Sequence, residues 1–328
     1  DSIDRVGGGR NAQVYSLGLT EGTRFTLKRY FRDHKDPRNR LWTEYKSTSF
    51  LWDQGLRCLA KPIWADYEKQ VGIYAYLEGT NGRDIDSLEH RDVEQMVDFL
   101  INIDALRNTS VIRTFPNASE ACFSASDLMA NIENRIMNIT QVEGQGPPFT
   151  DLNKFLETDL LPTLATQKYK LLQKSNTLNT ILPSENRTLS PSDFGFHNGI
   201  RDVHGRWSFI DFEYFGWDDP VKMASDFLLH PGMDLTEPLK GYYLSRLMSH
   251  FGERDDEFSE RLTCYFPLFG MKWCCILLNE FLKTGAKRRE FSEGKIEDTH
   301  YRLDRQLKLA RSMLKRIGSY HDLESFST

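Results

Sequence analysis

The chain changes character at Gly79. Before it, apolar, aromatic and β-branched residues come in short runs; after it they recur in long amphipathic stretches. Residues 11–17 (Asn-Ala-Gln-Val-Tyr-Ser-Leu) and 24–30 (Arg-Phe-Thr-Leu-Lys-Arg-Tyr) flank Thr20-Glu21-Gly22 and predict a hairpin. Leu41, Tyr45, Phe50 and Leu51 then keep helical spacing between Arg38 and Leu56, with Gly55 as a stop. Two more strands are expected at 63–67 and 71–77, ending at Glu78-Gly79, and Asn81-Gly82 signals a turn. Residues 1–78 should therefore form a small antiparallel sheet with one helix. Residues 79–328 should be mainly helical, at about 89–107, 124–139, 151–175, 234–251, 257–283 and 295–317, with Gly144-Gln-Gly-Pro-Pro148 separating two of these and no internal repeat. At 328 residues the chain is long enough for two units, and the expected class is α+β.

Residues 188–213 break the helical pattern. Segments 198–203 and 206–212 alternate or run apolar around His204-Gly205, predicting a second hairpin. It is preceded by Ser190-Pro191-Ser192-Asp193-Phe194-Gly195-Phe196-His197-Asn198 and contains Phe209-Ile210-Asp211-Phe212-Glu213. Asp193 and Asn198 share a loop and Asp211 closes the next strand, so the three side chains can converge at one end of one hairpin. Phosphoryl transfer asks for that convergence: a carboxylate orients the acceptor hydroxyl, and hard oxygen ligands hold magnesium against the phosphates. Asp193-Phe194-Gly195 also spells the magnesium motif of protein kinases. Residues 165–185 hold no Asp that could act upstream as the base, so Asp211 is the better metal aspartate.

Near the start, Val6-Gly7-Gly8-Gly9-Arg10-Asn11-Ala12 is a glycine-rich turn in which missing Cβ atoms let backbone N–H groups approach phosphates. Alone it reads as an ordinary turn. Lys28 on the next strand and Glu44 on the next helix give it a context, the order expected of an ion pair that positions phosphates.

These residues, in this order across 6–226, resemble the aminoglycoside phosphotransferase and choline kinase family of small-molecule kinases, within the protein-kinase-like superfamily. The resemblance implies a bilobal fold, with a small antiparallel-sheet N-lobe over 1–78 and a mainly helical C-lobe over 79–328. It implies ATP or GTP as donor, Mg2+ as cofactor and a small polar metabolite carrying a hydroxyl (a sugar, an amino alcohol or an aminoglycoside-like compound) as acceptor. Gly7, Gly8 and Gly9 would cover the phosphates, Lys28 would contact them with Glu44 as its partner, and Ala75 to Leu77 would meet the base. Asp193 would be the catalytic base, Asn198, Asp211 and Glu213 the magnesium ligands, and Asp226 the residue that ties down the catalytic loop. Two positions depart from the family: Pro191 stands where a His usually precedes the catalytic Asp by two residues, and Ala12 replaces the third glycine. The Pro191 departure keeps open an alternative, a nucleotide-binding pseudokinase acting through a partner. The absence of an Ala-Pro-Glu segment after Asp219 speaks against a protein kinase.

Composition narrows the partners. A formal net charge of -5 offers no bulk basic field for nucleic acid or an anionic membrane. The most apolar stretch, Cys264 to Leu282, contains Pro267, Lys272, Asn279 and Glu280 and reads as a buried helix. Five cysteines without metal-ligand spacing suit a reducing cytoplasm. Acceptor contacts are expected from carboxylates and an aromatic wall, with Asp218, Asp219, Trp273 and Glu280 as candidates. His197 reads as loop packing, because no His or Cys partner lies at a suitable spacing.

Overall fold

The computed structural model describes residues 1–8, 11–32, 36–173, 180–282, 291 and 298–319. Gly9 lies outside them, as do the ends of three expected helices at 174–175, 283 and 295–297.

The β-branched and aromatic runs form a five-stranded antiparallel sheet of β1 (Ser2–Gly8), β2 (Ala12–Gly18), β3 (Arg24–Tyr30), β4 (Pro62–Asp66) and β5 (Val71–Ala75), in the order β1-β2-β3-β5-β4. Strand β1 was not anticipated, because its glycines obscure the alternation. Helix α1 (Arg40–Asp53) follows β3, capped by Asn39, whose side chain accepts from the Trp42 N–H. One cross-strand row is Gly7, Val14, Lys28 and Gly72, so the glycine-rich segment lies in line with the lysine.

From β6 (Thr80–Asn81) onward helices dominate. They are α2 (His90–Ala105), α3 (Ala125–Thr140), α4 (Pro147–Phe155), α5 (Leu161–Gln173), α6 (Pro220–Leu229), α7 (Glu237–Gly252), α8 (Phe258–Leu277) and α9 (Thr299–Ser319). A π turn, Leu156–Leu160, joins α4 to α5, so the single helix expected at 151–175 carries a bulge, and Pro147 and Pro148 open it instead of standing before it. Helix α6 was not anticipated: ten residues that are all buried leave no polar face for periodicity to detect. Helix α8 is a core helix, as Pro267 and Lys272 within it suggested; Phe266, Phe269, Met271, Cys274 and Cys275 are fully buried.

Two small sheets interrupt the helices: β6-β8-β9, with β8 (Gly199–Arg201) and β9 (Trp207–Phe209) as the expected hairpin, and β7 (Thr188–Ser190) paired with β10 (Gly216–Asp218). Gly79 is required where the chain enters the first of these. Its φ is +146°, and a Cβ there would stand 2.4 Å from the Arg201 carbonyl oxygen. Helix α2 clamps the hairpin through polar side chains. Asp92 accepts from Trp207 Nε1 at 2.8 Å, while Gln95 donates to the Gly205 carbonyl and accepts from the Trp207 N–H. Beneath it Phe99 packs against Phe194, Phe209 and Phe212, at centroid separations of 5.4, 4.4 and 6.0 Å. The loop bearing Asp193 and the strand leading to Asp211 thus rest on one aromatic cluster.

Candidate active site

Lys28 sits on β3 with its side chain 11% exposed, and its Nζ reaches three carboxylate oxygens: Glu44 Oε1 at 2.8 Å, Glu44 Oε2 at 2.7 Å and Asp211 Oδ1 at 2.8 Å. Burial alone would favour the neutral amine, but Asp211 and Glu44 outweigh it and hold the Lys28 pKa well above its ordinary value. Behind Glu44, Tyr30 donates its hydroxyl to Oε2 at 2.7 Å and lies 3.0 Å from the Tyr74 hydroxyl. The carboxylate is thereby fixed from both sides, a buttress that neither tyrosine advertised in the sequence.

Asp211 follows β9, and the ladder continues from it to the Asp193 loop, since the Ile210 N–H donates to the Asn198 carbonyl at 2.9 Å. Asp211 has φ +72° and Ser192, next to Asp193, has φ +67°. Two non-glycine residues in the left-handed region within one site mark backbone strain held by its surroundings. Asn198 spends its side-chain N–H on the Asp193 carbonyl at 2.9 Å, which leaves the amide oxygen as its acceptor.

Glu213 lies deeper than a simple ligand reading requires. Its Oε1 accepts from Asn11 Nδ2 at 2.6 Å and faces Arg40 Nε at 3.8 Å. Asn11 also donates to the Tyr214 hydroxyl, and Arg40 pairs with Asp36 at 2.6 Å. This network joins the glycine-rich end of β2 and the start of α1 to the segment after β9. Of Asn11, Arg40 and Tyr214, only Asn11 stood within a motif visible beforehand. Glu213 Oε2 is buried without a hydrogen-bond partner. Desolvation, reinforced by Asp211, pushes the Glu213 carboxyl up to about 8. Carboxylate oxygens of Glu44, Asp211 and Glu213 lie within 4.8 Å of one another. An orphaned buried oxygen in a cluster of three carboxylates suits a hard cation; Asp211 and Glu213 belong to the expected magnesium set, while Glu44 stands in this cluster where that set had Asn198.

Other expectations are corrected. Asp218 and Asp219, expected at the acceptor, are buried. Asp218 is fully buried on Lys222 at 2.7 Å, and burial pushes its carboxyl up to about 6. Asp219 caps α6 through the Val221 N–H and shares Arg261 with Asp255 at 3.1 and 2.8 Å. Glu280 is buried beside Arg302 at 3.4 Å. These three carboxylates are thus held in buried ion pairs of the helical body. Trp273 sets its ring edge-on to His230 at 5.0 Å and donates its Nε1–H to Asp226 at 2.9 Å. Asp226 is paired with Lys222 at 3.2 Å and Lys272 at 3.5 Å, and its link to the Asp193 loop is indirect, since Lys222 also reaches Ser192 Oγ at 3.3 Å. The expectation for His197 was also too plain: it is buried, and its Nε2 lies 3.1 Å from Asp193 Oδ1. Gly7 and Gly8 end β1. Ala75 ends β5 with its N–H donating to the Lys61 carbonyl at 2.8 Å, and Leu77 lies in the connection to β6.

An antiparallel sheet joined to a helical body, with a lysine bridging a helix glutamate and the aspartate after β9, is the kinase-like α+β architecture expected. The family model described as "Phosphotransferase enzyme family" matches residues 2–222, and the chain belongs to that family. Among solved structures it is similar to the spectinomycin phosphotransferase APH(9)-Ia in complex with ADP and spectinomycin. The TM-score there is 0.61 at 13% identity, covering 97% of this chain and 92% of that one. It is likewise similar to the choline kinase LicA from Streptococcus pneumoniae (TM-score 0.54, 16% identity, 95% and 94% covered). A third is the amicoumacin kinase hAmiN in complex with AMP-PNP and Ca2+ (0.59, 13%, 96% and 88%). At these identities the likeness is one of fold. No curated protein matches the chain by sequence at a significant level.

Proposed function

We propose that the chain transfers the terminal phosphate of ATP or GTP to a hydroxyl of a small polar metabolite, with Asp193 as the base. The observation that carries the reading is Lys28 held between Glu44 and Asp211, because it aligns the phosphate-contacting cation with the expected metal aspartate across the junction of sheet and helices. Residues 1–78 form the nucleotide-covering lobe in this account, and 79–328 the lobe that carries Asp193 and receives the acceptor. Asp211, Glu213 and the Asn198 amide oxygen would hold magnesium, which when bound neutralises charge developing on the phosphates. Lys28 adds a fixed positive charge, and its pinning by Glu44 removes the cost of reorienting it during transfer. Asp193, with its carboxylate 37% exposed at the end of a rigid aromatic-backed loop, accepts the acceptor's hydroxyl proton. Spectinomycin, choline and amicoumacin, named with the structural relatives, support an alcohol-bearing acceptor of small size.

The reading is tested by incubating the protein with ATP or GTP, magnesium and pooled aminoglycosides, amino alcohols and sugars. Nucleoside diphosphate release that depends on the pool and stops with a chelator is the expected outcome; release that ignores the pool contradicts a small-molecule acceptor.

A further inference from the structure

Asp193 has company that none of its neighbours in sequence announced. His197, on the turn Phe196–Asn198, brings Nε2 to 3.1 Å from Asp193 Oδ1, and His230, at the end of α6, brings Nε2 to 3.9 Å from the same oxygen. The two imidazoles stack at a centroid distance of 3.6 Å and 10° between planes. Trp273 closes on His230 edge-on. The geometry leaves little slack: a Cβ on Gly195 would meet His197 Nδ1 at 2.8 Å and Met233 sulfur at 2.9 Å.

Partners fix where the ring protons are. The Gly232 N–H donates to His230 Nδ1 at 3.0 Å, so that nitrogen carries a lone pair and the neutral ring bears its proton on Nε2. His197 Nδ1 is buried without a partner. A lone pair on its Nε2 would face a carboxylate oxygen at hydrogen-bond distance, so the proton belongs on Nε2 there too. His197 therefore donates its Nε2–H to Oδ1, while His230 Nε2 stands 3.9 Å from the same oxygen, beyond hydrogen-bond distance. The three side chains lie close enough to ligate a metal ion. His230 could offer Nε2 to a metal only as an imidazolate, however, since its Nδ1 already accepts a hydrogen bond; the arrangement suits donors and not ligands.

Resting on the kinase reading, we propose that His197 is a positioning residue for Asp193: it holds Oδ1 by N–H donation at 3.1 Å, and the stacked His230 ring keeps His197 in place. The stack makes the two rings one rigid wall, so the base is oriented before substrate arrives.

The test compares His197→Phe, which keeps a ring in the stack but removes the N–H, with His197→Gln, which keeps an N–H at a similar reach. Loss of one hydrogen bond to a charged group predicts a kcat reduced roughly ten- to hundredfold in the Phe variant, with nucleotide KM unchanged, and substantial recovery in the Gln variant. A Phe variant with wild-type kcat, or a Gln variant that falls as far as Phe, overturns the proposal. Thermal melts and nucleotide affinity verify folding of each variant. If position 197 does not tolerate change, the imidazole tautomer of His197 in the unaltered protein decides the proposal. Failure of the kinase reading is separable, because it shows as wild-type protein that never turns over. Long-range 1H–15N imidazole spectra then still decide it: an Nε2–H tautomer is expected at His197, and an Nδ1–H tautomer there overturns the proposal.

Discussion

Glu213 and magnesium compete with a proton. Desolvation and the neighbouring Asp211 raise this carboxyl from 4.5 to about 8, so at pH 7 the metal-free cluster holds roughly nine-tenths of a proton. The sign follows from linkage. A folded-state pKa above the unfolded one gives stability that is complete below pH 4.5 and is lost as pH climbs through about 8. The full range is worth on the order of 5 kcal/mol. Metal-free protein should thus weaken between pH 5 and 8, whereas a divalent cation removes the need for the proton. Binding of Mg2+ at pH 7 should release about 0.9 proton, falling to about 0.1 at pH 9, and affinity should rise about tenfold per pH unit below 8. Titration calorimetry in imidazole and HEPES buffers, whose ionisation enthalpies differ, reads the released protons from the slope of the observed enthalpy. Glu213→Gln should abolish that slope. A slope near zero for the unaltered protein at pH 7, or one that survives in Glu213→Gln, refutes the assignment of this buried cluster as the cation site.

Three further outcomes follow from buried contacts. Lys28→Met leaves Glu44 buried without its cation and should cost about 3–5 kcal/mol in urea unfolding, partly recovered in Lys28→Met/Glu44→Leu. Asp219→Ala strips Arg261 of one of its two carboxylates and should cost several kcal/mol, on the order of 3, while the acceptor KM stays unchanged. An altered KM at preserved stability would return Asp219 to the acceptor site. Phe194→Ala opens the aromatic cluster under the Asp193 loop and should cost about 3–5 kcal/mol by thermal or urea unfolding.

The strands with alternating or β-branched residues, the hairpin around His204-Gly205 and most helices were legible because a half-buried element writes its period into the sequence. Helix α6 and strand β1 were not, one because it is buried all round and the other because glycine carries no pattern. The approach of Lys28 to Glu44 could be anticipated from the order of elements. The network from Asn11 and Arg40 to Glu213 could not, since it joins residues some two hundred positions apart in the chain. The surroundings of the acceptor candidates were hidden for a related reason: the ion pairs of Asp218 with Lys222, Asp219 with Arg261 and Glu280 with Arg302 form in the core, where charge pattern alone does not show them. Likewise His230 meets His197 only because α6 returns its end to the Asp193 loop, and spacing in the sequence does not encode that return.

The central claim is that Asp193 serves phosphate transfer to a small hydroxylated acceptor. Its most direct test follows label from γ-32P-ATP into the small-molecule fraction of a pooled metabolite mixture, with Asp193→Asn beside the unaltered protein and nucleotide affinity measured for both. The account predicts labelled metabolite from the unaltered protein, a loss on the order of 10²- to 10⁴-fold in the variant, and equal nucleotide binding. Equal labelling by the two proteins would contradict the role of Asp193, and nucleotide binding with no labelled metabolite from either would contradict the kinase itself.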